Sequence, residues 1–131
     1  MILPDTSLWI EWIRDFATNR KVRDSFSQFV TCGPIVQEVP QGLGKDPYVA
    51  PVRASLLALP RLSDPMPLDI FLHAAGIFRE GRRKGYTIRS SMDCLIAAVA
   101  IENEATVWHK DRDFDFISRY TPLRVKSEYV N

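Results

Sequence analysis

Short apolar segments alternate with longer segments of helical periodicity along this chain, and that alternation constrains the fold most strongly. The short segments predict five strands, at positions 2–3, 29–32, 61–63, 106–108 and 123–125. Strands that are separated by helices usually pair in parallel, and the connecting helices then cover the sheet. We therefore predict an α/β domain with a mostly parallel sheet.

The longer segments carry apolar residues at the spacing of amphipathic helices. One face of the first predicted helix holds Leu8, Trp9, Trp12, Ile13 and Phe16. Further helices are predicted from Pro34 onward, over 52–59, over 68–84 with Gly85 as the end, and over 91–104. The segment 41–51 contains two glycines and two prolines, which predict a loop.

Length, charge and cysteine content narrow the class of protein. The 131 residues suffice for one domain, taken as 1–131, and the net charge of +1 indicates no global attraction to nucleic acid. Cys32 and Cys94 follow no zinc-binding spacing, so we expect two buried thiols in a reducing compartment. The N-terminus has no signal-peptide pattern, and no window of about 18 apolar residues occurs, so we expect a cytoplasmic protein without a membrane segment.

Four carboxylates fall where predicted strands end or where the following helices begin. They are Asp5, Glu38, Asp93 and Asp111. The carboxyl ends of parallel strands meet at one edge of a sheet, where open α/β folds bind their ligands. Acids that converge there repel one another unless a hard cation neutralises them. The pattern therefore indicates a site for Mg²⁺ or Mn²⁺.

Each of these acids also has a purely structural interpretation. Asp5 is a suitable N-cap for the first helix, and Asp93 follows Ser90 at the spacing of a capping box. Glu38 is equally compatible with an exposed helix position. The coincidence of all four at one sheet edge favours the ligand site.

Four stretches of the sequence carry a resemblance to a known family. They are ILPDTSLWI at 2–10, PIVQEVPQG at 34–42, SMDCLIAAVA at 91–100 and WHKDRDF at 108–114. In this order they resemble the PIN-domain nucleases and, more narrowly, the VapC toxins of bacterial toxin–antitoxin pairs. The resemblance implies a PIN-like α/β domain whose parallel sheet has about five strands in the order 3-2-1-4-5. It also implies that Asp5, Glu38, Asp93 and Asp111 are catalytic and bind the metal.

The function implied by this resemblance is that of a metal-dependent endoribonuclease toxin. Its cofactor would be Mg²⁺ or Mn²⁺, its substrate RNA, and its partners a cognate VapB-type antitoxin and a second copy in a homodimer. One alternative is another Mg²⁺-dependent phosphoryl-transfer enzyme, although the common aspartyl-phosphatase pattern requires an acid where Ser7 stands. The other is a catalytically impaired PIN-like module that binds RNA or protein.

Further candidate site residues lie around the four acids. Thr6, Ser7 and Arg112 are candidates for binding substrate. Asp113 is either the N-cap of a short helix or an auxiliary acid at the metal site, and Asp115 is expected to face solvent. Several nearby basic residues either contact RNA or simply form a solvated helix face. These are Arg79, Arg82, Arg83, Lys84, Arg89 and Lys110.

Two prolines and a histidine depart from the family pattern. Pro4 lacks the N–H of a central strand residue, so Asp5 is predicted to lie just past the strand. Pro40 interrupts the helix that carries Glu38 and puts the reach of that side chain in question. His109 is interpreted as a packing or hydrogen-bonding residue. Trp9 and Trp12 are candidates for a partner contact, with core packing the simpler explanation for at least one of them.

Overall fold

A three-stranded parallel sheet lies at the centre of the computed structural model, which describes residues 1–45 and 47–128. Its strands are β1 (Ile2–Pro4), β2 (Thr106–His109) and β3 (Arg124–Ser127), in the order β1-β2-β3. Leu3 pairs with Val107, and Val107 pairs with Val125. The central strand β2 is buried from Val107 to His109, as expected where helices cover a parallel sheet.

Seven α-helices flank this sheet among the described residues. They are α1 (Thr6–Glu11), α2 (Arg20–Ser25), α3 (Gly33–Leu43), α4 (Val49–Ala58), α5 (Leu68–Arg83), α6 (Ser91–Glu102) and α7 (Arg112–Ser118). Short 3₁₀ turns follow α1 at Trp12–Arg14 and α2 at Phe26–Gln28. The α/β class predicted from the sequence is confirmed. None of the described helices is long and apolar enough to cross a membrane.

The prediction of about five strands is wrong for the described residues. The predicted strands at 29–32 and 61–63 form single parallel bridges, Ile2 with Phe29 and Thr31 with Arg61. Segment 29–32 lies between a 3₁₀ turn and the start of α3 at Gly33, and Pro60 has no N–H to donate. Each segment therefore stays extended for too few residues to form a ladder.

Helix α6 forms the centre of the core. Its residues 96–100 are all at most 1% exposed, and Ala97 and Ala98 have no long side chain to keep neighbouring elements apart. An apolar helix of this kind is stable only when it is covered on all sides. Here α5 and β2 pack against it, which fixes the position of the first turn of α6, where Asp93 lies.

Aromatic rings fill the space between β2 and α1. Trp12 stacks on Phe29 with ring centroids 5.8 Å apart and lies 5.1 Å from the ring of Trp108. Trp9 is 0% exposed and Trp12 is 5% exposed, so both are core residues rather than partner contacts. Cys32 and Cys94 are buried free thiols, as predicted.

The helix boundaries differ from prediction mainly around the predicted loop at 41–51. Helix α3 continues through Pro40 to Leu43, and α4 already begins at Val49. Pro40 removes one backbone N–H from the helix, which is not enough to end it. Helix α5 ends before Gly85, whose φ of 87° is the left-handed conformation predicted for a helix stop.

Candidate active site

Three of the predicted acids lie at the carboxyl ends of β1 and β2. Asp5 directly follows β1, and its N–H donates to the carbonyl of Trp108 at 2.9 Å. Asp111 comes two residues after β2 ends at His109, and Asp93 lies in the first turn of α6. The prediction that Asp5 lies just past the strand is confirmed.

Asp93, Asp111 and Asp113 form the tightest group of acids. One oxygen of each carboxylate lies within 4.8 Å of the corresponding oxygens of the other two. Asp93 is 9% exposed and Asp113 is 1% exposed, and within the described structure Asp93 Oδ2 and Asp113 Oδ1 have no hydrogen-bond partner. Buried carboxylate oxygens without partners are costly, so the group indicates a ligand that supplies positive charge.

Asp5 and Glu38 lie near this group without belonging to it. Asp5 accepts hydrogen bonds from Ser7 Oγ at 2.8 Å and from the N–H of Leu8 at 3.2 Å, so it also caps α1. Thr6 Oγ1 donates to Glu38 Oε1 at 2.9 Å. Because α3 continues past Pro40, Glu38 reaches the edge of the site despite the proline.

The electrostatics of the site reflect crowded and buried carboxylates. Burial raises the pKa of Asp93 to about 8, and repulsion from Asp111 and Asp113 adds to the shift. Burial also raises the pKa of Asp5 to about 6, although hydrogen bonds from Ser7 and Leu8 oppose this, and Asp111 and Glu38 contribute repulsion. The other four acids therefore all lie close enough to Asp93 to repel its charge.

The donor set fits a hard divalent cation. Every side chain of the tight group offers carboxylate oxygen, the ligand atom that Mg²⁺ and Mn²⁺ prefer. The unpartnered oxygens of Asp93 and Asp113 are available for coordination without breaking a hydrogen bond within the described structure. Neither histidine nor cysteine belongs to this group, which argues against a zinc-type site.

The structure agrees with only one of the two positions predicted for Asp113. The N-cap of α7 is Asp111, whose Oδ1 accepts the N–H of Asp113 at 2.9 Å. Asp113 therefore lies inside the helix, with its carboxylate turned inward, where Oδ2 accepts the N–H of Arg89 at 3.0 Å. This position corresponds to the auxiliary-acid alternative, whereas the N-cap alternative is wrong.

His109 and Asp115 form a second pair beside the acids. His109 is fully buried, and its Nδ1 accepts the N–H of Asp111 at 3.1 Å. Its Nε2 lies 3.0 Å from Asp115 Oδ1, outside good hydrogen-bond alignment. Burial lowers the pKa of His109, so the ring is neutral at pH 7. The packing role predicted for His109 agrees with this geometry, but Asp115 is half-buried against the ring and does not simply face solvent.

The other predicted site residues lie at the rim. Arg112 is exposed at the first position of α7, and Lys110 pairs with Glu11 at 3.1 Å. In the basic segment, Arg83 pairs with Glu80 and Arg82 lies over the ring of Phe78. Within the described part of the chain, Arg89 is the one residue of that segment in charge contact with the acids. The sequence offered no signal that it would contact Asp113, which lies 24 positions away.

Comparison with known proteins identifies the class. The family model for the PIN domain matches residues 2–120. The chain therefore belongs to the PIN-domain family. It is also similar to the protein named Ribonuclease VapC11 from Mycobacterium tuberculosis, at 38% identity over 97% of this chain and 98% of that protein. The VapC resemblance stated from the sequence is confirmed.

Solved structures agree in fold. The structure of VapBC-1 from nontypeable Haemophilus influenzae matches with a TM-score of 0.71 at 21% identity, covering 97% of this chain and 98% of that one. The structure of VapBC2 from Rickettsia felis, bound to a DNA fragment from its promoter, matches with a TM-score of 0.70 at 16% identity and the same coverage. At these low sequence identities, the similarity shows a shared fold and nothing more.

Proposed function

We propose that this protein is a metal-dependent endoribonuclease toxin of the VapC type, which cleaves RNA and is neutralised by a VapB-type antitoxin. The observation that carries the proposal is the convergence of Asp93, Asp111 and Asp113, with two buried carboxylate oxygens that have no partner in the described structure. The 38% identity to a protein named as a ribonuclease supports RNA as the substrate.

Asp93, Asp111 and Asp113 are the residues that would hold Mg²⁺ or Mn²⁺, with Asp5 and Glu38 adding negative charge beside them. A bound divalent ion would activate water for attack on phosphorus and neutralise charge that develops on the phosphate oxygens. The carboxylates suit this task because several negative charges are concentrated in a largely buried space, where attraction for a cation is stronger than in water.

Neighbouring side chains keep the acids in position. The Thr6 hydroxyl fixes one oxygen of Glu38, and the Ser7 hydroxyl fixes Asp5. His109 accepts the N–H of Asp111 and so orients the backbone from which that carboxylate projects. We therefore assign Thr6 and Ser7 to support of the acids, and we retain the exposed Arg112 as a candidate contact for RNA phosphate.

The proposed partners are the antitoxin and a second copy of the chain. Helix α5 exposes Leu68, Phe71 and Leu72, which are 72%, 48% and 63% exposed. Beside them a largely apolar groove of about 420 Å³ lies between α5 and the start of α6. Exposed apolar surface of this kind is typical of protein interfaces, and the groove is lined in part by the first turn of α6.

The alternative of an impaired module rested on Pro40. Helix α3 continues past this proline and Glu38 is held by Thr6, so no observation favours loss of the site. No feature of the described residues favours a covalent aspartyl phosphatase either, since Ser7 binds Asp5 where that mechanism needs a second acid.

Induction of the protein in bacterial cells, followed by mapping of new RNA ends, tests the proposed function. We expect growth arrest, discrete cleavage sites in RNA, and relief of both by co-expression of a cognate VapB-type antitoxin. Asp93→Asn serves as the inactive control. Growth arrest of equal strength with Asp93→Asn, or arrest without new RNA ends, would contradict the proposal.

A further inference from the structure

Arg89 lies in the connection between α5 and α6 and touches the acids in two ways. Its backbone N–H donates to Asp113 Oδ2 at 3.0 Å. Its guanidinium lies 3.6 Å from Asp111 Oδ1 and 3.8 Å from Asp113 Oδ1. The first contact belongs to the backbone and the second to the side chain, so the two are separable by substitution.

The side-chain contact is loose. Both distances exceed that of a good hydrogen bond, and the side chain of Arg89 is 70% exposed. Although the Asp113 side chain is buried, the guanidinium itself is solvated and neither contact is a hydrogen bond, so the guanidinium can leave the carboxylates at small cost.

The guanidinium and a divalent cation would compete for the same oxygen atoms. Asp113 Oδ1 is 3.8 Å from Arg89 Nε and is also one of the two buried oxygens without a hydrogen-bond partner in the described structure. A cation at this group would repel the positive guanidinium and take over its partners. The displaced guanidinium would remain beside the site, where a phosphate must lie if the acids act on RNA.

We propose that Arg89 is a positioning residue with two alternate partners: Asp111 and Asp113 in the cation-free site, and a phosphate oxygen of RNA once a cation is bound. This inference rests on the proposed function for its second half. Arginine suits the exchange because its planar fork matches carboxylate and phosphate equally well. Its anchored backbone keeps the guanidinium within reach of both.

The test uses the full chain and three variants. Arg89→Gln removes the charge and keeps the backbone N–H, and Arg89→Lys restores the charge without the fork. Arg124→Gln is the matched control, because it makes the same change of charge at an exposed residue that begins β3, away from the carboxyl ends of the strands. Mn²⁺ binding without RNA is measured by calorimetry, and KM and kcat are measured on a short single-stranded RNA.

Loss of the competing charge should make Mn²⁺ bind about threefold more tightly to Arg89→Gln than to wild type. Loss of the phosphate contact should raise KM about tenfold and change kcat much less, with partial recovery in Arg89→Lys. Arg124→Gln should match wild type in both measurements.

Unchanged or weaker Mn²⁺ binding by Arg89→Gln would overturn the proposal, and so would a KM equal to that of Arg124→Gln. A wild-type protein that cleaves no RNA would instead contradict the proposed function. The Mn²⁺ measurement needs no catalysis, so it decides separately whether Arg89 competes for the acids.

Discussion

Replacement of Asp93 by asparagine should stabilise the cation-free protein at alkaline pH while it removes activity. Asp93 Oδ2 is buried without a hydrogen-bond partner in the described structure, and Asp111 and Asp113 lie close by. Burial, together with their repulsion, raises the pKa of Asp93 from 3.8 to about 8. Asparagine has nearly the same shape, carries no charge, and can donate its amide to a neighbouring carboxylate.

The raised pKa sets the direction of the pH effect. Above pH 3.8 the unfolded chain loses the Asp93 proton, whereas the folded protein keeps it until about pH 8. The free energy of unfolding of wild type should therefore fall as pH rises through this window. One pH unit corresponds to at most about 1.4 kcal/mol, so the change from pH 5 to pH 8 is at most about 4 kcal/mol. Arg89 and solvent beside Asp111 offset part of the repulsion, so we expect the free energy of unfolding to fall by roughly 2 kcal/mol between these pH values.

Thermal unfolding in EDTA at pH 5 and pH 8 measures this difference. The stability of Asp93→Asn relative to wild type should increase by roughly 2 kcal/mol between the two pH values, or about 8 °C in Tm. Asp24→Asn changes an exposed carboxylate on α2 and should show no such increase. Added Mg²⁺ should stabilise wild type and not Asp93→Asn. A pH-independent difference, or an Asn variant that loses stability relative to wild type at pH 8, would refute the reasoning.

Two further predictions concern the neighbours of the acids. Asp111→Asn should lower the rate of RNA cleavage about a hundredfold without unfolding, whereas Asp115→Asn keeps an oxygen beside His109 and should leave both cleavage and stability nearly unchanged. Parallel cleavage and melting assays check both, and the reverse pattern would contradict the assigned roles. Thr6→Val should slow cleavage about tenfold because Glu38 loses its hydrogen bond. Thr6→Ser keeps the hydroxyl and should therefore cleave at the wild-type rate. An equal loss of rate in both variants would argue against a role for the Thr6–Glu38 bond.

The parts of the site that follow strand ends could be predicted from the sequence. Asp5 and Asp111 come within three residues of predicted apolar segments, and Asp93 opens the most regular helix of the chain. Parallel pairing then brings such positions to one edge, whatever the exact strand lengths. This explains why the wrong number of strands did not disturb the placement of these acids.

The parts that depend on helix phase and long-range contact could not be predicted. Because Asp111 rather than Asp113 caps α7, the helix begins two residues earlier than the Asp113 alternative implies. That shift turns Asp113 inward and brings Asp115 against His109. The contact of Arg89 with Asp113 joins an irregular segment to a helix, and no local periodicity indicates such a contact.

Cleavage of a labelled single-stranded RNA by the purified protein tests the central claim most directly. The protein is first stripped of metal with EDTA, and Mg²⁺ or Mn²⁺ is then added back to wild type and to Asp93→Asn. We predict no cleavage in EDTA, restored cleavage by wild type with either ion, and none by Asp93→Asn. Undiminished cleavage in excess EDTA, or full activity of Asp93→Asn, would contradict a cation site formed by these acids.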